Sequence, residues 1–483
     1  MHATTIPHKE SQREGYDEVT LALAEYVINK REPSDEAWQT ARLCLADALG
    51  CAIAALQLPA CQRLIGPSFP ERSFTAGGCR IPGTTWELDP VEGAFTLGTM
   101  IRWLDFNDTW LAQEWGHPSD NLGGLLTIAD WVCRHRRSAG QPLLTIKELL
   151  LAMIQAYEIQ GIISLSNSFN RSGFDHVILV KTATAAVTTA LMGGNEQQIA
   201  DAIAQTWMDA GPLRTYRHEP NVGARKSWAA GDATSRGVWL SLLSFKAAEG
   251  YPTALTVPLW GLQDCILKGK ALTLTRELGC YVMENILLKV LYPAEFHAQT
   301  AVEAACQLHR IIAGREEQVE KIEIETHEAA MRIINKKGML RNPADRDHCL
   351  QYMVAVALLN GELNAEDYEE HGAGDVRIEA LRKVMELRER PQYSKDYLDP
   401  ERRSIANAIT VYFNDSSSTE RIAIEYPIGH RRRRQEAIPL LWKKLEKNLC
   451  GHYPETKVTH LVQLMQQQSV LSLPVDNFVE EWL

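Results

Sequence analysis

Apolar residues recur with a helical period through about the first 270 residues of the chain. The stretch AWQTARLCLADALGCAIAAL places its apolar residues on one helix face, and Ser34 before it is a residue type that caps helices. Thr145 with Glu148, and Asn195 with Gln198, have the spacing of capping boxes at two further helix starts. This part of the sequence therefore predicts an almost entirely helical domain.

The pattern changes to a period of two in the later part of the chain. KIEIETHEA at 321–329, and ITVYFND and TERIAIEYP within 409–427, alternate apolar and polar residues, as half-buried strands do. Asp415 and three serines join the last two, which predicts a hairpin turn. With the helical pattern of 343–361 between these strands, the sequence predicts an α+β unit over residues 271–427.

The helical period returns after residue 430. We expect this last segment to pack on the first domain, which makes that domain discontinuous. The predicted fold is mainly α: a large helical domain of residues 1–270 plus 428–483, and a smaller α+β lid of residues 271–427. The run RRRR at 431–434 is interpreted as a solvated helix start.

Composition limits the classes of partner and location. The chain of 483 residues carries 50 Lys and Arg against 61 Asp and Glu, a net charge of −11, which on average repels nucleic acid and anionic membranes. An uncharged apolar run long enough to span a bilayer is missing, and so is an apolar signal region at the N-terminus. We expect a cytoplasmic protein without nucleic-acid or membrane partners.

Cysteine spacing and the common catalytic motifs narrow the chemistry further. The 10 cysteines include no C-x-x-C pair, which favours reduced thiols over a disulfide framework, a zinc site or an iron–sulfur cluster. The sequence also lacks G-x-S-x-G, a Walker loop, the Rossmann G-x-G-x-x-G and H-E-x-x-H. We therefore disfavour nucleotide, flavin and zinc-hydrolase functions.

Two polar clusters stand among apolar helical sequence in the first half. In IRWLDFNDTWLAQEWGHPSDN at 101–121, Asp105, Thr109 and His117 lie among four aromatic residues, which suggests partly buried ionisable groups; a capped helix end is the alternative. His176 follows Asp175 at the start of an apolar helix, where the helix dipole disfavours imidazolium, so His176 should be a neutral proton acceptor. The alternative makes Asp175 a simple cap and His176 a packed neighbour.

Two cationic segments follow. The Gly- and Pro-containing loop at 212–236 carries Arg214, Arg217 and Lys226 together with His218, and arginine side chains match carboxylate oxygens in pairs. Lys289 and His297 stand either side of Pro293, where the helical domain meets the α+β unit, and clefts between domains commonly bind small ligands. The alternatives are a solvated basic loop and an ordinary helix start at Pro293.

These clusters, in this order, resemble the dehydratase branch of the MmgE/PrpD family from about residue 15 to the end of the chain. The strings that carry the resemblance are IRWLDFNDTW, EWGHPSDNLGG, SFNRSGFDHV, LRTYRHEPN, RKSWAAGDATSR, YPAEFHAQTAVEAA, NPADRDHCLQYMVA and EYPIGHRRRRQ. The resemblance implies a helical domain with an α+β lid, a site in the cleft between them, and a homodimer. It also implies no cofactor, no metal and no iron–sulfur cluster, which agrees with the cysteine spacing.

The resemblance also implies roles for individual residues. Asp105 and Thr109 match site positions of the related cis-aconitate decarboxylase branch, whose DFDDTW motif reads DFNDTW here because Asn107 replaces an aspartate. His117, His176, Lys226 and Lys289 fall on further active-site positions. The loop between Thr109 and His117 is longer than in the decarboxylases, which favours dehydration. We expect catalytic roles for Asp105, Thr109, His117 and His176, and substrate-binding roles for the remaining residues, which are Lys226, Lys289, Arg214, Arg217, His218 and His297.

The implied reaction is dehydration of 2-methylcitrate to cis-2-methylaconitate in the methylcitrate cycle of propionate catabolism, with some activity on citrate or cis-aconitate. It needs cations for three carboxylates, a base for a carbon-bound proton and an acid for the departing oxygen. Which residue is base and which is acid stays open. The alternatives are decarboxylation of cis-aconitate and a non-catalytic tricarboxylate-binding protein.

Overall fold

The computed structural model describes residues 15–69, 74–209, 211–218 and 220–483, so the first 14 residues of the predicted helical domain lie outside the described residues. In the described part, the helices are α1 (Glu18–Asn29), α2 (Asp35–Ala55), α3 (Pro59–Gln62), α4 (Pro90–Arg102), α5 (Leu122–Ser138), α6 (Ile146–Ser166), α7 (Val177–Leu191), α8 (Glu196–Met208), α9 (Arg225–Ser244), α10 (Leu262–Cys265), α11 (Tyr281–Asn285), α12 (Gln299–Ile312), α13 (Glu328–Ile333), α14 (Pro343–Arg346), α15 (Leu350–Asn360), α16 (Val376–Lys383), α17 (Pro391–Leu398), α18 (Arg434–Cys450), α19 (Glu455–Gln466) and α20 (Val475–Glu481). The strands are β1 (Cys79–Arg80), β2 (Glu87–Leu88), β3 (Trp110–Leu111), β4 (Trp115–Gly116), β5 (Val319–Thr326), β6 (Met385–Glu389), β7 (Asn407–Phe413) and β8 (Ile422–Ile424). The fold is mainly α with a smaller α+β part, as predicted.

The predicted helix starts are confirmed by their hydrogen bonds. The Ser34 side chain accepts from the backbone N–H of Ala37 at the start of α2. Both reciprocal bonds of a capping box are present between Thr145 and Glu148 before α6, and between Asn195 and Gln198 before α8. Each cap satisfies backbone donors that have no partner within the helix itself.

Helix α6 is long and apolar enough to cross a membrane by length and composition, yet 83% of its 18-residue apolar window is buried inside the protein. It packs against α7, α2 and α11. Helix α6 is accordingly a core helix of the fold.

Glycines allow helices α4, α5 and α9 to approach one another closely. A Cβ atom on Gly123 would lie 2.7 Å from the Cα of Gly98, and one on Gly98 would lie 2.9 Å from the Cα of Gly231. These distances are shorter than van der Waals contact, so only glycine fits there. Asp105 follows α4, His117 precedes α5 and Lys226 lies in the first turn of α9. The close packing of these helices therefore sets the spacing of the predicted site residues.

Four strands form the one larger sheet of the described residues, in the order β6-β5-β7-β8. Strand β5 pairs antiparallel with β7, with Ile322 opposite Val411, and the predicted hairpin joins β7 to β8 through a turn in which the Ser417 N–H donates to Asp415 at 2.9 Å. The period-two pattern missed β6, which pairs parallel with β5. Its residues MELRE are mostly exposed and polar, so this edge strand shows little apolar alternation.

The buried apolar residues form two main cores. The larger core takes side chains from Leu23 through Val290 and again from Ala437 through Trp482, so the C-terminal helices α18 to α20 pack with the first part of the chain. The second core runs from Ala294 to Phe413 under the four-stranded sheet. Residues 271–290, which we assigned to the lid, contribute Leu272, Val282 and Ile286 to the larger core. The exact domain boundaries stay a prediction.

We expect Gly123→Ala to lower the free energy of unfolding by about 1–3 kcal/mol, because the added methyl group must displace backbone of α4. The change is measured by denaturant unfolding followed by circular dichroism. Gly374→Ala is the matched control, since a Cβ there meets no atom within 4 Å. Equal stability of the two variants would contradict the close helix packing.

Candidate active site

A cavity of about 260 Å³ lies where the two cores meet. Its walls come from the α4–α5 region, the loop before α9 and the segment after α11 on one side, and from residues 295–348 of the α+β part on the other. The cavity is lined by most of the residues singled out in the sequence, namely Asp105, Thr109, His117, His176, Arg214, Arg217, His218 and Lys289. Residues from four distant segments of the chain thus surround one space.

Asp105 is the buried anionic centre of this cavity. Its Oδ1 atom lies 2.8 Å from Nη1 of Arg102 and 2.6 Å from Nζ of Lys289, and the Lys289 ammonium also donates to the Asp105 backbone carbonyl at 2.5 Å. Burial opposes ionisation, but Arg102 and Lys289 outweigh it and hold the pKa of Asp105 well below its usual value. Asp105 is therefore an ionised anchor for two cations and not a proton donor at neutral pH.

The backbone at Asp105 is unusual, with a φ of 49° just beyond the end of α4. A non-glycine residue in this left-handed region costs on the order of 1 kcal/mol and is often found at functional sites. The turn brings both the carboxylate and the carbonyl oxygen of Asp105 to the same ammonium group, so the strained backbone serves to hold Lys289.

His117 is brought to Asp105 by the short hairpin of β3 and β4. Its Nδ1 lies 2.7 Å from the carbonyl oxygen of Asp108 and 3.3 Å from the hydroxyl of Thr109. Because a carbonyl oxygen only accepts, Nδ1 carries the proton and Nε2, which is 3.8 Å from Oδ1 of Asp105, keeps its lone pair. Burial, with the nearby Arg102, holds the pKa of His117 well below its usual value. His117 is thus a neutral imidazole able to accept a proton.

His176 stands at the start of α7, with its ring centre 6.1 Å from that of His117. It is buried, and neither ring nitrogen has a hydrogen-bond partner among the described residues, although Oδ1 of Asp175 lies 3.2 Å from Nδ1. Burial, together with Arg217 and Arg214, lowers the pKa of His176 to about 3. The predicted neutral state agrees with this direction, and the ring nitrogens are available to a ligand.

Arg214 and Arg217 are held at the cavity by Asp175. Arg217 donates to both carboxylate oxygens of Asp175, and Nη1 of Arg214 lies 3.3 Å from Oδ2. Burial opposes the charge on Asp175, but the two guanidinium groups hold its pKa far below the usual value. The alternative interpretation of Asp175 as a simple helix cap leaves out these contacts. Asp175 also orients two cations that line the cavity.

Lys226 and His297 do not line the cavity, although both were predicted to bind substrate. Nζ of Lys226 donates to Oδ1 of Asp347 at 2.6 Å, across the two parts of the chain. His297 is fully buried, with Nδ1 2.7 Å from Oε1 of Glu295 and Nε2 3.2 Å from the Tyr397 hydroxyl. Each therefore lies behind a residue that lines the cavity. The substrate-binding roles of Lys226 and His297 stay predictions.

Sequence reasoning missed several charged residues of the wall, which are Arg102, Arg171, Arg332, Lys336, Glu295 and His348. Four of these residues lie inside strings quoted above, which are Arg102, Arg171, Glu295 and His348. Arg332 belongs to α13 and Lys336 to the loop after it. The sequence around them carries no motif that marks a site. Only the packing of the α+β part over the helical part reveals their position.

The wall carries far more positive than negative charge. Seven Lys and Arg side chains and two carboxylates line the cavity, in a chain whose net charge is −11. The guanidinium of Arg332 lies 5.2 Å from the ring centre of Trp115, and that of Arg214 lies 5.4 Å from it, so one indole ring supports two cations. This charge excess suits a small polyanion.

Asp105, Asp347 and His348 come within 4.8 Å of one another through one ligand atom each, a spacing that a metal ion could use. In this structure, however, the carboxylate of Asp105 is paired with Arg102 and Lys289, and that of Asp347 with Lys226. A divalent cation would have to displace these ammonium and guanidinium groups. The two carboxylates are thus already paired with cations of the protein itself.

Comparison with known proteins places this geometry in a family. Residues 21–275 match the MmgE/PrpD N-terminal domain, and residues 292–468 match the MmgE/PrpD C-terminal domain. The break between these two matches falls close to the junction of the two cores. The first stretch of the larger core ends at Val290, and the second core begins at Ala294.

Curated relatives are similar along almost their whole length. The chain is 51% identical over 472 residues to a 2-methylcitrate dehydratase of Escherichia coli (strain K12), covering 97% of this chain and 98% of that protein. It is 51% identical to one of Cupriavidus necator, covering 97% and 98%, and 46% identical to a mitochondrial one of Yarrowia lipolytica, covering 98% and 91%. The chain belongs to the MmgE/PrpD family.

Proposed function

We propose that this protein is a hydro-lyase that eliminates water from 2-methylcitrate to give cis-2-methylaconitate. The observation that carries the proposal is a cavity in which seven cationic side chains surround a neutral buried imidazole. The relatives named 2-methylcitrate dehydratase support it, since each matches 97% of the chain at 51% identity.

The charge of the wall fits the substrate. 2-Methylcitrate carries three carboxylates at neutral pH, and further negative charge develops on carbon as the proton leaves. Guanidinium groups pair with carboxylate oxygens through two parallel N–H bonds. Arg214 and Arg217 offer such groups from the helical side, and Arg332 offers one from the α+β side. Charges that are already held in place stabilise the transition state without reorganising.

His117 is the group proposed to remove the carbon-bound proton. Its Nε2 lone pair is available because Nδ1 donates to the Asp108 carbonyl, and its low pKa keeps the ring neutral before substrate binds. Asp105 lies 3.8 Å from Nε2 and stabilises the imidazolium that forms. Thr109 and His176 are proposed to orient the substrate from the same side of the cavity.

The remaining parts of the proposal concern the need for a metal ion, the range of substrates, the oligomeric state and the location in the cell. We propose chemistry without a metal, because the carboxylates nearest the cavity are paired with protein cations. We also propose some activity on citrate or cis-aconitate, a homodimer and a cytoplasmic location. Sedimentation velocity tests the homodimer, and fractionation of the source cells tests the cytoplasmic location.

Chelator-treated protein should convert 2-methylcitrate to a product that absorbs as a conjugated alkene. Citrate should react as well, in keeping with the proposed breadth. Absorbance of the conjugated product is followed beside a carbon dioxide assay. Release of carbon dioxide from cis-aconitate would identify a decarboxylase, and tight binding without either product would identify a binding protein. Activity that disappears on chelation and returns with a metal ion would contradict the metal-independent part.

His117→Asn should lower kcat for 2-methylcitrate by about 10²- to 10⁴-fold, the usual contribution of a positioned general base. KM should change little, because the carboxylate-binding cations remain. His135→Asn is the matched control: His135 also contacts a backbone carbonyl through Nδ1, at 2.9 Å from Trp131, but it is exposed and lies outside the cavity wall. A His117→Asn enzyme with the turnover of the control would remove His117 from the chemistry.

Arg332→Met should raise KM for 2-methylcitrate by about 10-fold or more with a smaller change in kcat, because Arg332 is proposed to bind a carboxylate in substrate and transition state alike. Arg377→Met is the control, since Arg377 is an arginine of the same α+β part that pairs with Asp375 outside the cavity. Steady-state kinetics of both variants decide the point. An unchanged KM for Arg332→Met would mean that the substrate does not touch this side of the wall.

A further inference from the structure

We propose that His348, held by Asp347, is the catalytic acid of this site and donates a proton to the departing hydroxyl group. The inference rests on the proposed function, because it assigns the second proton-transfer group of the same reaction. His348 lines the cavity from the α+β part, whereas His117 lines it from the helical part. The two imidazoles therefore approach a bound substrate from different units of the fold.

The orientation of His348 follows from its hydrogen bond. It stands between α14 and α15, and its Nδ1 lies 2.6 Å from Oδ1 of Asp347. Burial opposes the charge on Asp347, but Lys226 and His348 hold its pKa below the usual value. The Lys226 ammonium also lies 3.3 Å from Nδ1 of His348, but the Asp347 carboxylate is closer and only accepts. Nδ1 of His348 is therefore the donor to Asp347, and Nε2 is the nitrogen left for the substrate. This is the arrangement of a histidine oriented by a carboxylate.

Lys226 explains how the pair is fixed. Its ammonium group, at the start of α9, donates to Asp347 across the junction between the two cores. Lys226, Asp347 and His348 are thus a chain of contacts from the helical part to the cavity wall of the α+β part. In this proposal Lys226 holds the carboxylate that orients His348.

The surroundings of the two histidines give them different proton affinities. His117 has a carbonyl oxygen on Nδ1 and Arg102 and Lys289 nearby, which disfavour imidazolium. For His348, burial and then Lys226 outweigh Asp347 and Asp105, so its pKa lies below the usual value, though it is not held well below it as that of His117 is. Asp105 lies 3.8 Å from Nε2 of His117, whereas Asp347 lies 2.6 Å from Nδ1 of His348. When three substrate carboxylates add negative charge to the cavity, the histidine with the closer carboxylate, His348, is the one that gains the proton. His117 is left as the base and His348 as the acid.

The proposed step balances in atoms and charge. Nε2 of His117 takes the proton from the methyl-bearing carbon, and the electron pair of that C–H bond forms the new double bond. The C–O electron pair leaves with the hydroxyl oxygen, which takes the Nε2 proton of His348 and departs as water. His117 then returns a proton to solvent and His348 regains one, so the enzyme is unchanged.

The test uses two substrates in His348→Gln: 2-methylcitrate, and the analogue in which fluorine replaces the hydroxyl group. We expect kcat for 2-methylcitrate to fall about 10²- to 10⁴-fold. Turnover of the fluoro analogue should stay within about threefold of the unaltered enzyme, since fluoride leaves without a proton. His117→Asn should lose activity on both substrates, because the C–H proton must be removed in each.

Two further variants keep the inference falsifiable if the analogue does not react or His348→Gln fails to fold. Asp347→Asn removes the negative charge that favours imidazolium, while Lys226 and Asp105 remain beside His348, so the high-pH limb of the kcat profile should move to lower pH. His371→Gln alters an exposed histidine of the same α+β part and should leave the profile unchanged.

The outcomes separate the inference from the proposed function. Equal loss on both substrates in His348→Gln, normal turnover of 2-methylcitrate in that variant, or an unmoved high-pH limb in Asp347→Asn overturns the role of His348. Lack of any turnover of 2-methylcitrate by the unaltered protein overturns the proposed function instead.

Discussion

The buried pair of Asp105 and Lys289 is the interaction on which the site depends. A lysine ammonium with no exposure to solvent is costly unless an anion is close, and Asp105 supplies both a carboxylate and a carbonyl oxygen. Arg102 brings a second positive charge to the same carboxylate. One anion thus keeps two cations at the cavity. The left-handed backbone of Asp105 is a local strain that accompanies this arrangement.

This pair also connects the packing of the helices with the position of the charges at the cavity. Asp105 follows α4, which packs against α5 and α9 at Gly98, Gly123 and Gly231, and Lys289 lies at the end of the larger core. The helix packing therefore sets where the anion stands, and the second core begins only a few residues after the cation. A cavity rich in positive charge forms at that junction in a chain that is acidic as a whole.

Much of the fold could be predicted because its signals are local. The caps at Ser34, Thr145 and Asn195 involve residues within four positions of one another, and β5, β7 and β8 alternate in burial. The edge strand β6 could not, since its exposed residues lack that alternation. In the site, the strings around Asp105, His117 and Lys289 named residues that do line the cavity. Arg332 and Lys336 were missed because their position depends on how the second core packs against the first.

Lys226 shows why residue type alone does not assign a role. A lysine in a basic loop suits a substrate carboxylate, and the sequence offers no reason to choose another partner. In the structure its partner is Asp347, which is more than a hundred residues away in the chain and belongs to the other core. A cation that binds substrate adds affinity, whereas a cation that fixes a carboxylate behind an imidazole tunes proton transfer. Because the two histidines of the proposed reaction come from different parts of the fold, this contact across the junction joins the two halves of the proposed active site.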